Sequence, residues 1–265
     1  MPTSPAGVDN VSVRSSYELE HPKPLNIEQR DSPSLEQVPS ATGMGYDQSL
    51  KSEGRPGDAV SRQTALVIMA TTWTIVLMNA PMKVGWFAFH PPLQSLAILL
   101  FTFGIITLQP TNQPKTKAAG LMRHQLAIFV VGFPTIALGT IAVSYNKWLR
   151  GADHFTTWHG FFGIITMAWL VFQIFLGAGS VWYGGALFGG GMKAKSLWKY
   201  HRLSGYILFP LLLFTVHLGG GWSTWGEKYS YWIVRFVTYT VAPLAVLVGV
   251  YARIRPSKMQ FAINK

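Results

Sequence analysis

The chain has no cysteine, and over most of its length it has very little negative charge. The first absence excludes disulfide bridges, thiolate-bound metals and iron–sulfur clusters. Beyond residue 58 only Asp153 and Glu227 are acidic, against 17 lysines and arginines. A soluble domain covers its surface with charges of both signs, and this segment cannot do so. Its basic residues fall in short stretches between apolar runs, which indicates membrane topology and argues against a nucleic-acid surface.

The first 58 residues have a different composition. They contain nine acidic and five basic residues, seven prolines and few apolar residues. Such a segment cannot bury enough apolar surface to offset the entropy of ordering, so we predict a disordered cytosolic tail. It has no apolar run typical of a cleavable signal peptide, so the first membrane helix is expected to direct insertion. The predicted organisation is a tail over 1–58, a membrane domain over 59–255 and a short cytosolic tail over 256–265.

The membrane domain contains six apolar segments, each close to the ~20 residues that a bilayer core requires. Tryptophan and tyrosine mark many of their ends, where an apolar ring with one polar atom is favoured. The intervening loops are short, so neighbouring helices should run antiparallel. We predict an all-α, six-helix transmembrane bundle with helices at 64–81, 86–108, 125–145, 158–179, 198–218 and 231–251.

The loop charges predict the orientation of this bundle. Counted from residue 51 onward, fourteen lysines and arginines fall on the side shared by both termini, the loop between helices 2 and 3 and the loop between helices 4 and 5. The other side carries five, so the positive-inside rule places both termini in the cytosol. We call the group in the two cytosolic loops and the helix starts beside them the basic rim: Lys115, Lys117, Arg123, Lys193, Lys195, Lys199 and Arg202.

Four of the seven histidines lie within the first turn or two of four consecutive predicted helices: His90, His124, His159 and His201. Antiparallel helices would place His90 and His159 near the non-cytosolic face and the other two near the cytosolic face. Ionisable side chains at membrane depth are costly and usually functional. Facing imidazoles with no thiolate and almost no carboxylate nearby favour bis-histidine haem iron over zinc or calcium.

Other interpretations of these histidines stay open. A lone intramembrane histidine is often a hydrogen-bonded packing residue, although packing does not require one histidine per helix on alternating faces. His201 and His217 share a helix but lie about 160° apart around it, so they cannot serve one stacked arrangement of cofactors. A proton-coupled transporter that uses intramembrane histidines is an alternative, but such proteins usually add carboxylates, and the predicted helices contain none. A non-enzymatic membrane assembly factor is a third possibility.

The histidines lie in four short segments, 89–91 (FHP), 123–125 (RHQ), 154–160 (HFTTWHG) and 199–205 (KYHRLSG). In order and spacing these segments resemble the ligand motifs of the cytochrome b561 family, in particular its short stand-alone members. The resemblance covers about residues 60–255 and implies two b-type haems bound by helices 2 to 5. It also implies one-electron transfer across the membrane, from cytosolic ascorbate to monodehydroascorbate or ferric iron. The end of helix 2 and the start of helix 4 depart from the ascorbate-using members, which leaves the donor open.

Residues beside the histidines have predicted roles as well. Arg123, Lys199 and Arg202 adjoin the cytosolic ligands and could neutralise haem propionates. Gly163 and Gly205 each lie four residues after a ligand on the same helix face, where a missing side chain would let a flat macrocycle approach.

Two further histidines are expected toward the non-cytosolic face. His154 follows Asp153 and precedes the interfacial Trp158, so we place it in a loop and take His159 as the ligand. His154 and His217 are candidates for contact with the electron acceptor or with a haem propionate. The predicted partners are an anionic small-molecule reductant, a ferric chelate or monodehydroascorbate as acceptor, and the lipid bilayer. A homodimer stays open, as does the membrane: a vacuole-like or vesicular organelle, or the plasma membrane.

Overall fold

A computed structural model describes residues 56–79, 81–108, 114–252 and 254. Residues 1–55 of the predicted N-terminal tail and the whole predicted C-terminal tail, 256–265, lie outside the described residues. The described chain is almost entirely helical and contains no strand. Its α-helices are α1 Pro56–Met78, α2 His90–Thr107, α3 Pro114–His124, α4 Phe133–Leu149, α5 Trp158–Val181, α6 Gly191–Ser196, α7 Trp198–Gly221, α8 Thr224–Tyr229, α9 Trp232–Phe236 and α10 Ala242–Tyr251. Segments of 3-10 helix (Pro81–Phe89, Trp182–Phe188) and π-helix (Gln125–Gly132, Val237–Val241) join some of them.

Six stretches of the described chain are long and apolar enough to cross a membrane. This number confirms the predicted six-helix, all-α fold class. We number them spans 1 to 6: Gly57–Met78, Met82–Thr107, Thr116–Leu149, Trp158–Phe188, Gly191–Gly221 and Trp232–Tyr251.

Span 1 begins earlier than the hydropathy pattern predicts. α1 starts at Pro56, eight residues before the predicted helix and three before the predicted membrane domain. Proline is favoured in a first helical turn, and the carboxylate of Asp58 in that turn interacts favourably with the helix dipole. Asp58 is only 2% exposed, so the expectation that the helices contain no carboxylate is wrong at this position. The helix ends at Met78, shortly before Pro81, because the residue before a proline disfavours α geometry.

The helix of span 3 also begins earlier than predicted, because α3 starts at Pro114, ten residues before His124. Residues 114–124 are too basic to register as an apolar run, but their alanine, leucine, methionine and lysine residues favour helix. A π-helical segment, Gln125–Gly132, follows without a break. His124 therefore lies in the third turn of a continuous helix and not at its start.

The spans pack as two hairpins with a supporting pair of helices. α2 packs against α4 in the hairpin of spans 2 and 3, and α5 packs against α7 in the hairpin of spans 4 and 5. Span 1 packs against spans 2 and 6. At the contact with span 6, Ser61 Oγ donates to Val246 O at 3.2 Å. Within the described chain, backbone contact between the two hairpins is slight and runs mainly between α2 and α7. The two hairpins therefore face each other across a gap that side chains bridge.

Candidate functional site

Four histidines form two pairs across the gap between the hairpins. The imidazole ring centres of His90 and His159 are 5.9 Å apart, and the ring planes are inclined by 75°. Those of His124 and His201 are 6.3 Å apart, with planes inclined by 88°. Each pair thus takes one histidine from each hairpin, which is the pairing that alternating helix direction predicts.

In the His90–His159 pair, each ring is anchored to the backbone of the other helix in its own hairpin. His90 Nδ1 lies 3.0 Å from Gly139 O, and His159 Nδ1 lies 2.9 Å from Thr215 O. A carbonyl oxygen only accepts, so each Nδ1 carries the hydrogen and donates it. The other ring nitrogen, Nε2, is left with a lone pair that can bind a metal.

The His124–His201 pair repeats this arrangement at the other level of the bundle. His124 Nδ1 donates to Gly104 O, and His201 Nδ1 donates to Gln173 O, both at 3.2 Å. Histidines that bind metals commonly donate their second N–H in this way, because the bond fixes the tautomer and the ring orientation.

The register of the helices sets the distance between the two pairs. Spans 2, 4 and 5 each carry a histidine of one pair. Fourteen residues further along the same span is a residue whose carbonyl accepts a hydrogen bond from a histidine of the other pair. These combinations are His90 and Gly104, His159 and Gln173, and His201 and Thr215. Fourteen residues of α-helix rise about 21 Å and return to within about 40° of the same face. Both pairs therefore face the same gap, about 21 Å apart along it.

Span 3 needs one more residue to reach the same register. His124 and Gly139 are fifteen residues apart, and the π-helical Gln125–Gly132 lies between them. A π-turn accommodates one extra residue, so His124 and Gly139 still point to the same side of the span. Hydropathy carries no signal for this insertion, and the sequence did not reveal it.

A dry layer separates the two levels of histidine. It consists of buried side chains from spans 2, 4 and 5, each no more than 2% exposed: Ile98, Phe101, Thr166 and Leu208. Phe101 packs against Gly132, where an added Cβ would lie 2.6 Å from its ring. The Thr166 hydroxyl donates within its own helix, to Phe162 O and Gly163 O. The layer therefore presents apolar surface between the pairs.

The two ends of the bundle differ in charge. The basic rim lies at the His124–His201 end, with Arg123, Lys199 and Arg202 half-buried beside the ligand positions. Lys199 Nζ lies 5.1 Å from the centre of the Tyr200 ring. The buried Asp58 begins span 1 at this same end, so the end is not entirely without negative charge.

At the opposite end, the two remaining candidate histidines are separate from the pairs. His154 is exposed in the loop before α5, as predicted, with its ring centre 5.7 Å from that of Phe155. His217 has both ring nitrogens engaged. Its Nδ1 donates toward Tyr239 O at 3.0 Å, and its Nε2 accepts from Trp222 Nε1 at 2.9 Å. The contact with Tyr239 ties span 5 to span 6. Contact of either histidine with an acceptor stays a prediction.

The structure also shows two hydrogen-bonded glutamines inside the spans, which sequence reasoning missed. Gln173 Nε2 donates to His201 O at 2.5 Å, in addition to the backbone contact described above. Gln94 Nε2 donates to Ile136 O and to Thr140 Oγ1, both at 3.0 Å. An amide inside an apolar span is costly unless it is hydrogen-bonded, and that cost was the signal that could have identified both residues.

The two glycines expected to admit a macrocycle have different surroundings. A Cβ at Gly163 would meet no heavy atom within 4 Å, so the space beside it is open. A Cβ at Gly205 would lie 3.0 Å from Gln173 Nε2. Gly205 therefore gives room to the Gln173 amide, and only Gly163 borders open space.

Comparison with known proteins identifies the family. The family model described as eukaryotic cytochrome b561 matches residues 86–226, more than half of the chain. The matched range includes all four paired histidines and both hairpins except the first few residues of span 2. A comparison with curated proteins gave no match. The chain therefore belongs to the eukaryotic cytochrome b561 family, a class of haem-binding membrane oxidoreductases that transfer electrons, and is itself a multi-pass integral membrane protein.

Proposed function

We propose that this protein transfers single electrons across its membrane through two haem b groups. One is held by His124 and His201 near the basic rim, and the other by His90 and His159 near the opposite end. The observation that carries this proposal is the pair geometry: two levels of facing imidazoles, each ring with Nδ1 donated to a carbonyl.

The pair geometry fits an iron porphyrin better than a bare metal ion. A metal bound by one nitrogen of each ring, at about 2 Å per bond, would hold the ring centres about 6 Å apart. The observed separations are 5.9 and 6.3 Å. Within the described chain no group of three or more histidines, cysteines or carboxylates could hold a metal ion, so the protein offers a metal only two ligands per pair. A porphyrin supplies the other four.

When bound, haem supplies a one-electron ferric–ferrous couple. Two histidines per iron would leave no open position for dioxygen or substrate, which restricts the chemistry to electron transfer. The carbonyl acceptors keep each ring in one tautomer and increase its strength as a ligand. The apolar layer of Ile98, Phe101 and Leu208 excludes water between the levels and lowers the local dielectric constant.

The charge difference between the ends supports a direction for the electron. We take the basic rim as cytosolic by the positive-inside rule, so the His124–His201 haem is the entry point. An unbalanced positive surface raises the local concentration of anions such as ascorbate. The acceptor at the opposite end would be monodehydroascorbate or a ferric chelate, with His154 and His217 as the nearest candidate contacts. Such a protein is a transmembrane ferrireductase or monodehydroascorbate reductase.

The decisive experiment is a reduced-minus-oxidised visible spectrum of the purified full-length protein, with haem quantified per chain. We expect two low-spin b-type haems per polypeptide. Reduction by ascorbate and by other anionic reductants would then identify the donor. A preparation that stays colourless after haem supplementation would refute the proposal and favour a transporter or an assembly factor.

A further inference from the structure

Two glycines lie directly against ligand rings. A Cβ added at Gly177 in α5 would lie 2.6 Å from Cε1 and 3.0 Å from Nδ1 of His201. A Cβ added at Gly219 in α7 would lie 2.6 Å from Cε1 and 2.7 Å from Nδ1 of His159. At both positions the three nearest atoms all belong to the imidazole. The space that a side chain would fill is therefore taken by the ring alone.

Both glycines have the same relation to the carbonyl that accepts from the ring. Gly177 lies four residues after Gln173, whose carbonyl accepts from His201, and Gly219 lies four residues after Thr215, whose carbonyl accepts from His159. In an α-helix each Cα–Cβ bond tilts toward the N-terminus, so the Cβ of residue i+4 stands beside the carbonyl oxygen of residue i. At Gly177 and Gly219 the ring that donates to that oxygen also lies over residue i+4, where a side chain would occupy the same space as the ring.

The glycines of the other hairpin have a different use. There, Gly104 and Gly139 are themselves the acceptor residues, and the space beside them is filled by other side chains. An added Cβ would lie 2.7 Å from Ile128 Cγ1 at Gly104, and 3.0 Å from Leu93 Cβ at Gly139. These two glycines therefore allow close packing of spans 2 and 3. Among the four paired histidines, only His159 and His201 have rings that lie against a glycine four residues after the residue whose carbonyl accepts their hydrogen bond.

The backbone of both ring-bearing glycines is also held in the same way. Ser180 Oγ donates to Gly177 O at 2.9 Å, and Ser223 Oγ donates to Gly219 O at 2.5 Å. Gly219 is among the last four residues of α7, where carbonyls lack intrahelical partners, and Gly177 lies just before the last four residues of α5. The serine hydroxyls bond these carbonyls and restrain segments that glycine would otherwise loosen.

We propose that Gly177 and Gly219 are positioning residues, each of which sets the ring orientation of one haem ligand, His201 and His159 respectively. The inference rests on the proposed function, since it assumes that these rings bind iron. A ring held by iron at Nε2 and by a carbonyl at Nδ1 cannot swing away from an added methyl group. It must tilt and lose its carbonyl acceptor, and that loss weakens it as a donor to iron. A weaker donor stabilises ferric iron less, so the midpoint potential of that haem rises.

The test is to replace each glycine with alanine in the full-length protein and to measure haem content, the midpoint potential of each haem and the low-spin ferric EPR signals. The EPR g values respond to the angle between the two imidazole planes, so they report ring orientation without an activity assay. We expect Gly219→Ala to shift the signal and raise the potential of the His90–His159 haem only, or to remove that haem only. Gly177→Ala should do the same to the His124–His201 haem only. Gly57→Ala is the matched control, because its Cβ would make an ordinary contact of 3.6 Å with Gly249.

The two glycine variants also control for each other, since each should retain the other haem unchanged. Equal perturbation of both haems by either variant would mean that the methyl group disturbs the fold generally and would overturn the inference. Unchanged EPR signals and potentials in both variants would overturn it as well. These outcomes require that wild type contains two bis-histidine haems. A wild type without them would refute the proposed function itself, so the two failures are distinguishable.

Discussion

The His90–His159 and His124–His201 pairs share a framework but not an environment. In both, one histidine comes from each hairpin and every Nδ1 donates to a backbone carbonyl of the neighbouring span. Around the rings the similarity ends. The His124–His201 pair lies beside Arg123, Lys199 and Arg202, whereas the chain neighbours of His90 and His159 are phenylalanine, proline, tryptophan and glycine.

Under the proposed function, this difference separates two tasks. Haem ligation would depend on ring orientation, which the backbone carbonyls hold at both levels in the same way. The direction of electron transfer would depend on charge, which is concentrated at one level only. We therefore expect changes to the framework to remove a haem, and changes to the surroundings to alter only its potential or its rate of reduction.

The largest expected effect comes from breaking one pair at a time. His90→Ala and His159→Ala should each remove the same haem, and His124→Ala and His201→Ala should each remove the other. Every single variant should keep about half of the haem absorbance, because the pairs lie about 21 Å apart and share no ligand. The measurement is the reduced-minus-oxidised spectrum of each purified variant. Loss of the same spectral component in His90→Ala and His124→Ala would show that the pairing is wrong.

The next effect concerns the charges that distinguish the two levels. Replacing both Lys199 and Arg202 with glutamine should slow reduction by ascorbate roughly threefold to tenfold at low ionic strength, because the variant attracts an anion less strongly. The difference from wild type should shrink at high salt, where the Debye length falls well below its value of about 8–10 Å near physiological ionic strength. Stopped-flow reduction at several salt concentrations provides the measurement.

The matched control for this experiment neutralises two lysines at the opposite end, Lys83 and Lys228. This variant should be reduced at the wild-type rate, and haem content should be unchanged in both variants. If the Lys199 and Arg202 variant also matched wild type at low salt, these charges would serve only membrane insertion.

A smaller effect is expected from the two glutamines inside the spans, Gln173 and Gln94. Gln173 contacts His201 through its side chain, whereas the amide of Gln94 donates to Ile136 O and Thr140 and not to a ligand. Gln173→Leu removes the hydrogen bond from Gln173 Nε2 to His201 O. It also removes the buried Oε1, the negative end of the amide dipole, which accepts no hydrogen bond among the described residues. It should raise the midpoint potential of the His124–His201 haem by on the order of tens of millivolts. Gln94→Leu should leave both potentials within error, and redox titration checks both variants. Equal shifts in the two variants would show that contact with the ligand is not the cause.

The smallest effect is predicted for His154→Ala. His154 is exposed in the loop before α5, and its ring contacts Phe155 and neither histidine pair. Both haems and both potentials should be retained, as haem analysis would show. If His154→Ala lost a haem while His159→Ala kept both, the ligand assignment in span 4 would be reversed.

The sequence was sufficient to predict the number of spans and the pairing of the histidines. Apolar runs are long because a bilayer core is thick, so six of them were visible without any tertiary information. The side of each histidine followed from counting antiparallel helices. Boundaries were less predictable: the polar and basic turns of α1 and α3 lie outside the apolar runs, yet both are helical.

The partners of the histidines could not be predicted at all. Each ring donates to a backbone carbonyl, and every residue has a carbonyl, so no side-chain pattern marks Gly139 or Thr215 as acceptors. The role of Gln173 depends on its facing His201 across a hairpin, 28 positions away along the chain. The π-helical segment of span 3, which packs against α2, likewise has no signal in the hydropathy pattern.

The sequence by itself determined the membrane class, the six spans, the two levels of histidine and the unequal charge of the two ends. These are properties of hydropathy, helix direction and net charge, which are additive along a chain. Only the tertiary structure decided which carbonyl orients each ring, which glycines lie beneath His159 and His201, and which glutamine reaches a ligand. Those contacts join residues from different spans at distances of a few ångströms, and such distances are set by how the helices pack.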